Sequence, residues 1–389
     1  MFESRSIKAF CSLICLIVLA SNLWTMRNWT ERTGVYDDIC YLRQAHLFQR
    51  FGLSGFDTDI ARDDDHYFTT LAREIGYPAW NEPGRAPCHT PIKATGKNII
   101  QYPPGTGFLL SIFPSGFQRV PLYAFANLVI FLVALSAIWL ANTPQAIARS
   151  GGLGALALYF MVNPAKASFS IAPTMVICAL AGYLTVVMFT GVNPRSRIMA
   201  TGMTGILLGL SVSFRLANLF LCVGPLLWLS IEAFKTRKTD SVSRLVAFGA
   251  AYLGGLTPTL VANAINAGSP FSTTYGERDV VPLDLSFAIA KEYISDLQGA
   301  LIVVALAWAA WGLRSAVRNL VSVVVITNLV WNLLFFLSHP IFTPYYLMPV
   351  AMLSLWSLLF VYLMESGPKE NQNVTAIKSS LANARAGER

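Results

Sequence analysis

Long apolar runs recur from one end of this chain to the other, and no other feature limits its fold so strongly. Roughly 17–25 apolar residues cross about 30 Å of hydrocarbon as a helix. Runs approaching or reaching that length lie at residues 10–24, 120–141, 152–162, 171–190, 199–213, 216–234, 245–264, 300–313, 321–337 and 346–364. A bilayer core offers no water to backbone N–H and C=O groups, so only helices and closed barrels span it. No long stretch alternates with period two, which argues against an outer-membrane barrel. The sequence therefore predicts an all-α, polytopic membrane protein with about ten transmembrane helices. Composition agrees, because 13% charged residues is half the usage of about 25% in soluble domains, and mean hydropathy is +0.51.

The net charge of +8 marks orientation rather than a nucleic-acid surface, since Lys and Arg fall mostly in short loops between the runs. Arg5 and Lys8, Arg149, Arg195 and Arg197, the group Lys235, Arg237, Lys238 and Arg244, then Arg314 and Arg318, and the tail with Lys369, Lys378, Arg385 and Arg389 all fall on one side. Ten spans with both termini cytoplasmic satisfy this bias. Arg5 and Lys8 ahead of an apolar run also have the form of a signal peptide, with Val18-Leu19-Ala20 as a cleavage context. The many later spans favour an uncleaved first helix. Residues 1–365 then form one membrane domain with a long extracytoplasmic loop at 26–104, and 366–389 form a polar, disordered cytoplasmic tail.

That first loop is too long and too polar to be a plain connection. It opens on Tyr36-Asp37-Asp38, two adjacent carboxylates where the chain leaves the bilayer. The spacing of Tyr41, Leu42, Ala45 and Phe48 predicts an amphipathic helix over 41–51, lying at the interface. Either aspartate can serve as its N-cap. Asp57, Asp59, Asp63, Asp64 and Asp65 with His66 make an acidic cluster without the glycine and glutamate of a calcium loop, so a solvated acidic face is expected. Cys40 and Cys88 share the loop and can form a disulfide if it faces an oxidising compartment. Cys11, Cys15, Cys178 and Cys222 lie in apolar runs and read as packing residues. Gln101-Tyr102-Pro103-Pro104-Gly105 closes the loop, and the nine or so residues after it are too short to span, as in a re-entrant or juxtamembrane helix.

Three other features fall on the same outer face. Ser213-Phe214-Arg215-Leu216 sets a cation between two spans, where an ionisable group is by default a functional candidate and Arg matches phosphate with paired charge-assisted bonds. Lys166 occupies another outer turn. The stretch 268–276 carries Ser269, Ser272, Thr273, Thr274 and Tyr275, suited to sugar or phosphate oxygens and equally to an ordinary turn. His339, Tyr345 and Tyr346 lead into the last span, where a His or Tyr can donate to phosphate or simply sit at the interface.

Asp37-Asp38 after the first span resembles the acidic pair of the GT-C superfamily of membrane glycosyltransferases, and Tyr102-Pro103-Pro104-Gly105 resembles the Pro-Pro motif ending the same loop. Phe214-Arg215 before Leu226-Leu227-Trp228, Gly268-Ser269-Pro270-Phe271, and Tyr345-Tyr346-Leu347-Met348-Pro349 are similar to segments of bacterial members, including the protein O-mannosyltransferase and lipid A aminoarabinose transferase types. The second acid, often Glu in the family, is Asp38 here, and Tyr345-Tyr346 stands where Arg-Tyr is usual. The resemblance implies transfer of a sugar from a polyprenyl-phosphate donor to a glycan, lipid or protein acceptor, at the outer face of the bacterial inner membrane and with inversion. It implies Asp37 and Asp38 as catalytic residues, Arg215, Lys166, His339 and Tyr345 as donor-phosphate contacts, and Tyr36, Tyr102 and Tyr275 as substrate contacts. No cofactor is fixed by the sequence, and a divalent cation is compatible with the acid pair. Membrane lipids are partners; nucleic acid is not. The rivals are a flippase or other transporter of a lipid-linked sugar, which would carry ionisable groups at mid-membrane on broken helices, and a ligase or polymerase of lipid-linked glycans.

Overall fold

Every apolar run folds as helix. The computed structural model describes residues 2–30, 38–77, 86–162, 168–275, 284–339 and 341–366. Their helices, in chain order, are α1 Phe2–Met26, α2 Asp38–Phe51, α3 Tyr67–Glu74, α4 Gly105–Ser111, α5 Arg119–Leu140, α6 Pro144–Tyr159 and α7 Ile171–Thr190. There follow α8 Pro194–Val212, α9 Val223–Thr236, α10 Thr239–Ala267, α11 Phe287–Ser295, α12 Leu297–Gly312, α13 Asn319–Ser338 and α14 Met348–Glu365. Polar side chains set the starts: Thr143 accepts from the Ala146 amide ahead of α6, and Asn193 from the Arg195 amide ahead of α8. Both are followed by Pro at the first helical position, which has no amide to leave unpaired. α10 stops at Gly268, whose φ of 81° is the left-handed conformation that glycine adopts freely.

Seven of these segments are long and apolar enough to cross a membrane: Ser4–Met26, Arg119–Leu140, Ile171–Thr190, Leu216–Thr236, Thr239–Ala267, Asn319–Ser338 and Met348–Glu365. An eighth counts if α11 and α12, which meet at a 77° bend, form one broken span. The chain is thus a predominantly helical membrane protein. α14 and α7 stand at its centre, with 83% and 72% of their apolar windows buried, while α1 and α10 are outer helices at 28% and 22%. In lipid, helices associate through close packing more than through exclusion of water. Gly182 of α7 supplies that closeness, since a Cβ there would sit 2.5 Å from the Trp356 Cβ of α14.

The loop after α1 folds into a cap over one end of the bundle, termed here the loop end. Its centre is α2, flanked by 3-10 turns at Gly52–Phe56 and Ile60–Arg62, by α3, and by an antiparallel hairpin. The hairpin pairs β1 (His89–Ile92) with β2 (Lys97–Ile100), His89 opposite Ile100 and Ile92 opposite Lys97. It departs from a purely helical reading, and Gly96, at φ 69°, makes its turn. Asn266 at the end of α10 fastens the cap: its amide donates to the Phe56 carbonyl at 2.7 Å, its Oδ1 accepts from the Thr58 amide at 3.0 Å, and its carbonyl accepts from the Thr95 hydroxyl at 2.9 Å.

Two expectations for this region are corrected. The helix expected over 41–51 begins at Asp38 and does not lie on the interface with one face in lipid. Ten of its fourteen residues are buried, including Arg43 and Gln44, because the 3-10 turns, α3, the hairpin and α4 surround it. The acidic cluster is exposed at Asp64 and Asp65, as expected, but its carboxylates are engaged rather than free. Asp57 pairs with Lys97 at 3.0 Å, Asp65 with His46 at 2.7 Å, and Asp64 with Arg50. Asp59 and Asp63 accept backbone amides at the starts of the second 3-10 turn and α3. Cys40 and Cys88 form a disulfide joining α2 to the hairpin's first strand. The four cysteines of the apolar runs are free and buried.

Candidate active site

Asp38 is the first residue of α2 and is 2% exposed. A buried carboxylate is costly unless hydrogen-bonded or paired. Its Oδ1 accepts from the backbone amide of Phe169 at 2.9 Å, just ahead of α7. The carboxylate therefore bridges the cap to the central helix rather than only beginning its own. On α5, Tyr123 donates its hydroxyl to the carbonyl of Ser168, the residue before Phe169, at 3.4 Å.

Arg119 and Tyr123 are the residues that sequence reasoning missed. They start α5 four positions apart, which places them on one helix face. The Arg119 guanidinium is 1% exposed, donates to the Thr30 carbonyl at 3.0 Å, and lies 4.4 Å from the Trp29 ring and 5.3 Å from the Phe169 ring. The sequence signal was an Arg at the outer boundary of a span, the same signal that singled out Arg215.

Arg215 and Tyr345, both expected at the site, do meet. Arg215 ends the turn after α8, is 9% exposed, and donates from Nη1 to the Tyr345 carbonyl at 3.4 Å. Its guanidinium lies 4.9 Å from the Tyr345 ring and 5.1 Å from the Tyr346 ring. No carboxylate lies within ion-pair distance of Arg215 among the described residues. Tyr345 and Tyr346 thus wall the Arg215 guanidinium.

Tyr102 and Tyr275 meet as well. Tyr102 stacks on Tyr41 at 5.2 Å and meets Tyr275 edge-on at 6.4 Å. The Thr274 hydroxyl donates to the Gln101 carbonyl at 2.6 Å, and the Gln44 amide to the Tyr102 carbonyl at 2.8 Å. The prolines that follow turn the chain into α4, whose Gly105 amide donates to the Ser213 carbonyl at 2.7 Å. A Cβ at Gly105 would sit 2.7 Å from that same oxygen, so only glycine allows the approach. This contact ties the Tyr102 motif to the turn that carries Arg215.

His339 follows α13, where its ring stacks on Phe335 at 5.9 Å. Burial holds its imidazole below the usual histidine range. It makes no hydrogen bond or ring contact to Arg215 among the described residues. Asp37, Tyr36 and Lys166 lie outside the described residues. So does any assembly that includes them, although Asp37 precedes Asp38 directly. Among the described residues no three His, Cys, Asp or Glu side chains gather to hold a metal.

No family model matches this sequence, and neither the curated proteins nor the solved structures hold a match to it. The candidate site therefore rests on its own geometry.

Proposed function

We propose that the chain is an integral-membrane inverting glycosyltransferase that moves a sugar from a polyprenyl phosphate to a glycan, lipid or protein acceptor at the outer face of the membrane. One observation carries this reading. A buried carboxylate on the cap, tied to the start of the central helix, and a nearly buried guanidinium with no carboxylate within ion-pair distance among the described residues lie at the same end of a membrane bundle, where α4, at the cap's end, bonds the turn carrying Arg215. Ten spans with cytoplasmic termini are the topology that goes with it, because the cap then faces outside. The three spans beyond the seven long apolar ones are α6, α8 and the broken α11–α12 pair. Nucleotide sugars stay in the cytoplasm, so an outward site needs a lipid-borne donor.

In this reaction the acceptor oxygen attacks the anomeric carbon, its proton passes to a carboxylate, and the bond from carbon to phosphate oxygen breaks with its electrons on the phosphate. Asp38 is already an acceptor for the Phe169 amide and is closed to solvent, which suits a positioning group. Asp37, next to it in the chain, is assigned the base. Two adjacent carboxylates repel, which raises the basicity of one of them. Arg215 stabilises charge growing on the leaving phosphate, and the Tyr102–Tyr275 pair offers ring faces to the sugar.

The break between α11 and α12 is the one feature that a transporter would also use. It lies at Asp296, which caps α12, with Gln298 donating to the Thr343 carbonyl, so it sits at the loop end rather than at mid-membrane. Purified protein given labelled polyprenyl-phosphate sugars and membrane extract separates the two readings. Label on a new acceptor, with polyprenyl phosphate released, is the expected result. Label moved across the bilayer while still on its donor would establish the transporter instead.

A further inference from the structure

The end of the bundle opposite the cap carries a cluster that the proposed reaction does not use. Arg149 lies in the second turn of α6. Trp308 and Trp311 occupy the last turns of α12, and Tyr362 the last turn of α14. The Arg149 guanidinium lies 4.5 Å from the Tyr362 ring, 5.1 Å from the Trp311 ring and 5.9 Å from the Trp308 ring. Arg318, just ahead of α13, approaches the same Trp311 ring at 4.0 Å and Tyr362 at 5.9 Å. Two cations thus share one aromatic wall.

Their charges are compensated unequally. Arg318 pairs with Glu365 at 2.7 Å, and the Ser315 hydroxyl donates to the other oxygen of that carboxylate. Arg149 is exposed and has no carboxylate within ion-pair distance among the described residues. The cluster therefore keeps one positive charge, held in place by rings at the ends of α12 and α14. Trp and Tyr settle at the level of headgroups. Basic pockets between helices on the side rich in Lys and Arg bind anionic headgroups, and a guanidinium fits a phosphate oxygen pair. Neutral lipid carries the same phosphate, but its own ammonium opposes the attraction to Arg149.

We propose that Arg149, backed by Trp308, Trp311 and Tyr362, holds the phosphate of an anionic phospholipid in the groove between α6, α12 and α14. The site is independent of the transferase reading, since it lies at the other end of the bundle.

The test uses the intact protein in phosphatidylcholine nanodiscs doped with brominated phosphatidylglycerol, or with brominated phosphatidylcholine at the same fraction. Bromine on the acyl chain quenches nearby indoles, so quenching in excess with the anionic lipid reads its enrichment. Wild type is expected to show that excess, Arg149→Gln to lose most of it, and Arg149→Lys to keep part. Trp308→Phe with Trp311→Phe should also remove it, because those are the reporting rings. Arg195→Gln, which removes an exposed cation at the same end that lies over no aromatic ring among the described residues, should leave it unchanged. Excess quenching that survives in Arg149→Gln would overturn the site. So would equal quenching by both lipids, or loss of the excess on adding inorganic phosphate, which would make the ligand a free anion.

Discussion

The two ends of the bundle handle buried charge in opposite ways. At the end opposite the cap, Arg244 is fully buried and meets both Glu232 and Asp240, the latter at 3.4 Å, while Arg197 approaches Glu232 at 3.8 Å and Arg318 is paired with Glu365. Each deeply buried cation there has its anion within the fold. At the loop end, Arg215 is as inaccessible as many core residues yet meets only tyrosine rings and a carbonyl. Under the proposed function, that uncompensated charge is completed by the donor phosphate. The comparison teaches that cation count alone says less than pairing: Arg244 has its anions within the fold, and Arg215 has none within ion-pair distance among the described residues.

Substitutions can break or sharpen that contrast. Arg215→Ala should cost the largest effect in transfer, about 10²–10³ in rate if its guanidinium acts as a preorganised donor to the leaving phosphate. Thermal stability should change little, and kinetics with varied donor concentration would read the effect. Equal loss of folded protein would place Arg215 with Arg244 as a structural cation.

The Cys40→Ser, Cys88→Ser variant loosens the cap. A loop closed over 48 positions gives an entropic upper bound of about 4 kcal/mol. Proteolysis within residues 52–100 should speed up while the bundle stays protected. Arg244→Ala should destabilise the fold by roughly 2–3 kcal/mol, less than for a fully buried pair because Glu232 remains partly in water. Transfer per folded molecule should be unchanged, as melting and activity together would report.

A further effect, absent at neutral pH, concerns acidification. Burial, and then the Arg43 guanidinium beside it, push the His89 imidazole from 6.5 down to about 3. The unfolded chain binds a proton below about 6.5 that the folded cap refuses, so cap stability is complete above that value and declines as pH falls toward 3. His89→Gln should flatten this part of the pH–stability curve.

The membrane helices were legible because lipid imposes length and apolarity on each run separately, and 171–190 was read to the residue. The cap was legible only in outline. A helix at 41–51 follows from its own spacing, but its burial depends on α4 and on the hairpin some fifty residues further on. The hairpin itself is written weakly, in Ile99-Ile100 and a Thr95-Gly96 turn. Asp38, Arg215 and Tyr345 stand out in the sequence as polar or aromatic residues beside spans, and Tyr102 and Tyr275 through the motif closing the first loop and the hydroxyl-rich stretch 268–276. Arg119 and Tyr123 satisfy the same rule and were passed over as the start of a span. What joins them to Asp38 is the Ser168–Phe169 segment, a contact across 131 positions that no local pattern encodes.

The most direct measurement compares Asp37→Asn with Arg244→Gln, each purified to equal folded amounts and given a labelled polyprenyl-phosphate sugar with membrane extract. Loss of general-base help is worth about 10²–10⁴ in rate. Asp37→Asn is therefore expected to nearly abolish release of polyprenyl phosphate at an unchanged melting temperature, whereas Arg244→Gln lowers the melting temperature and leaves transfer intact. Full transfer by Asp37→Asn would contradict a catalytic site at the loop end.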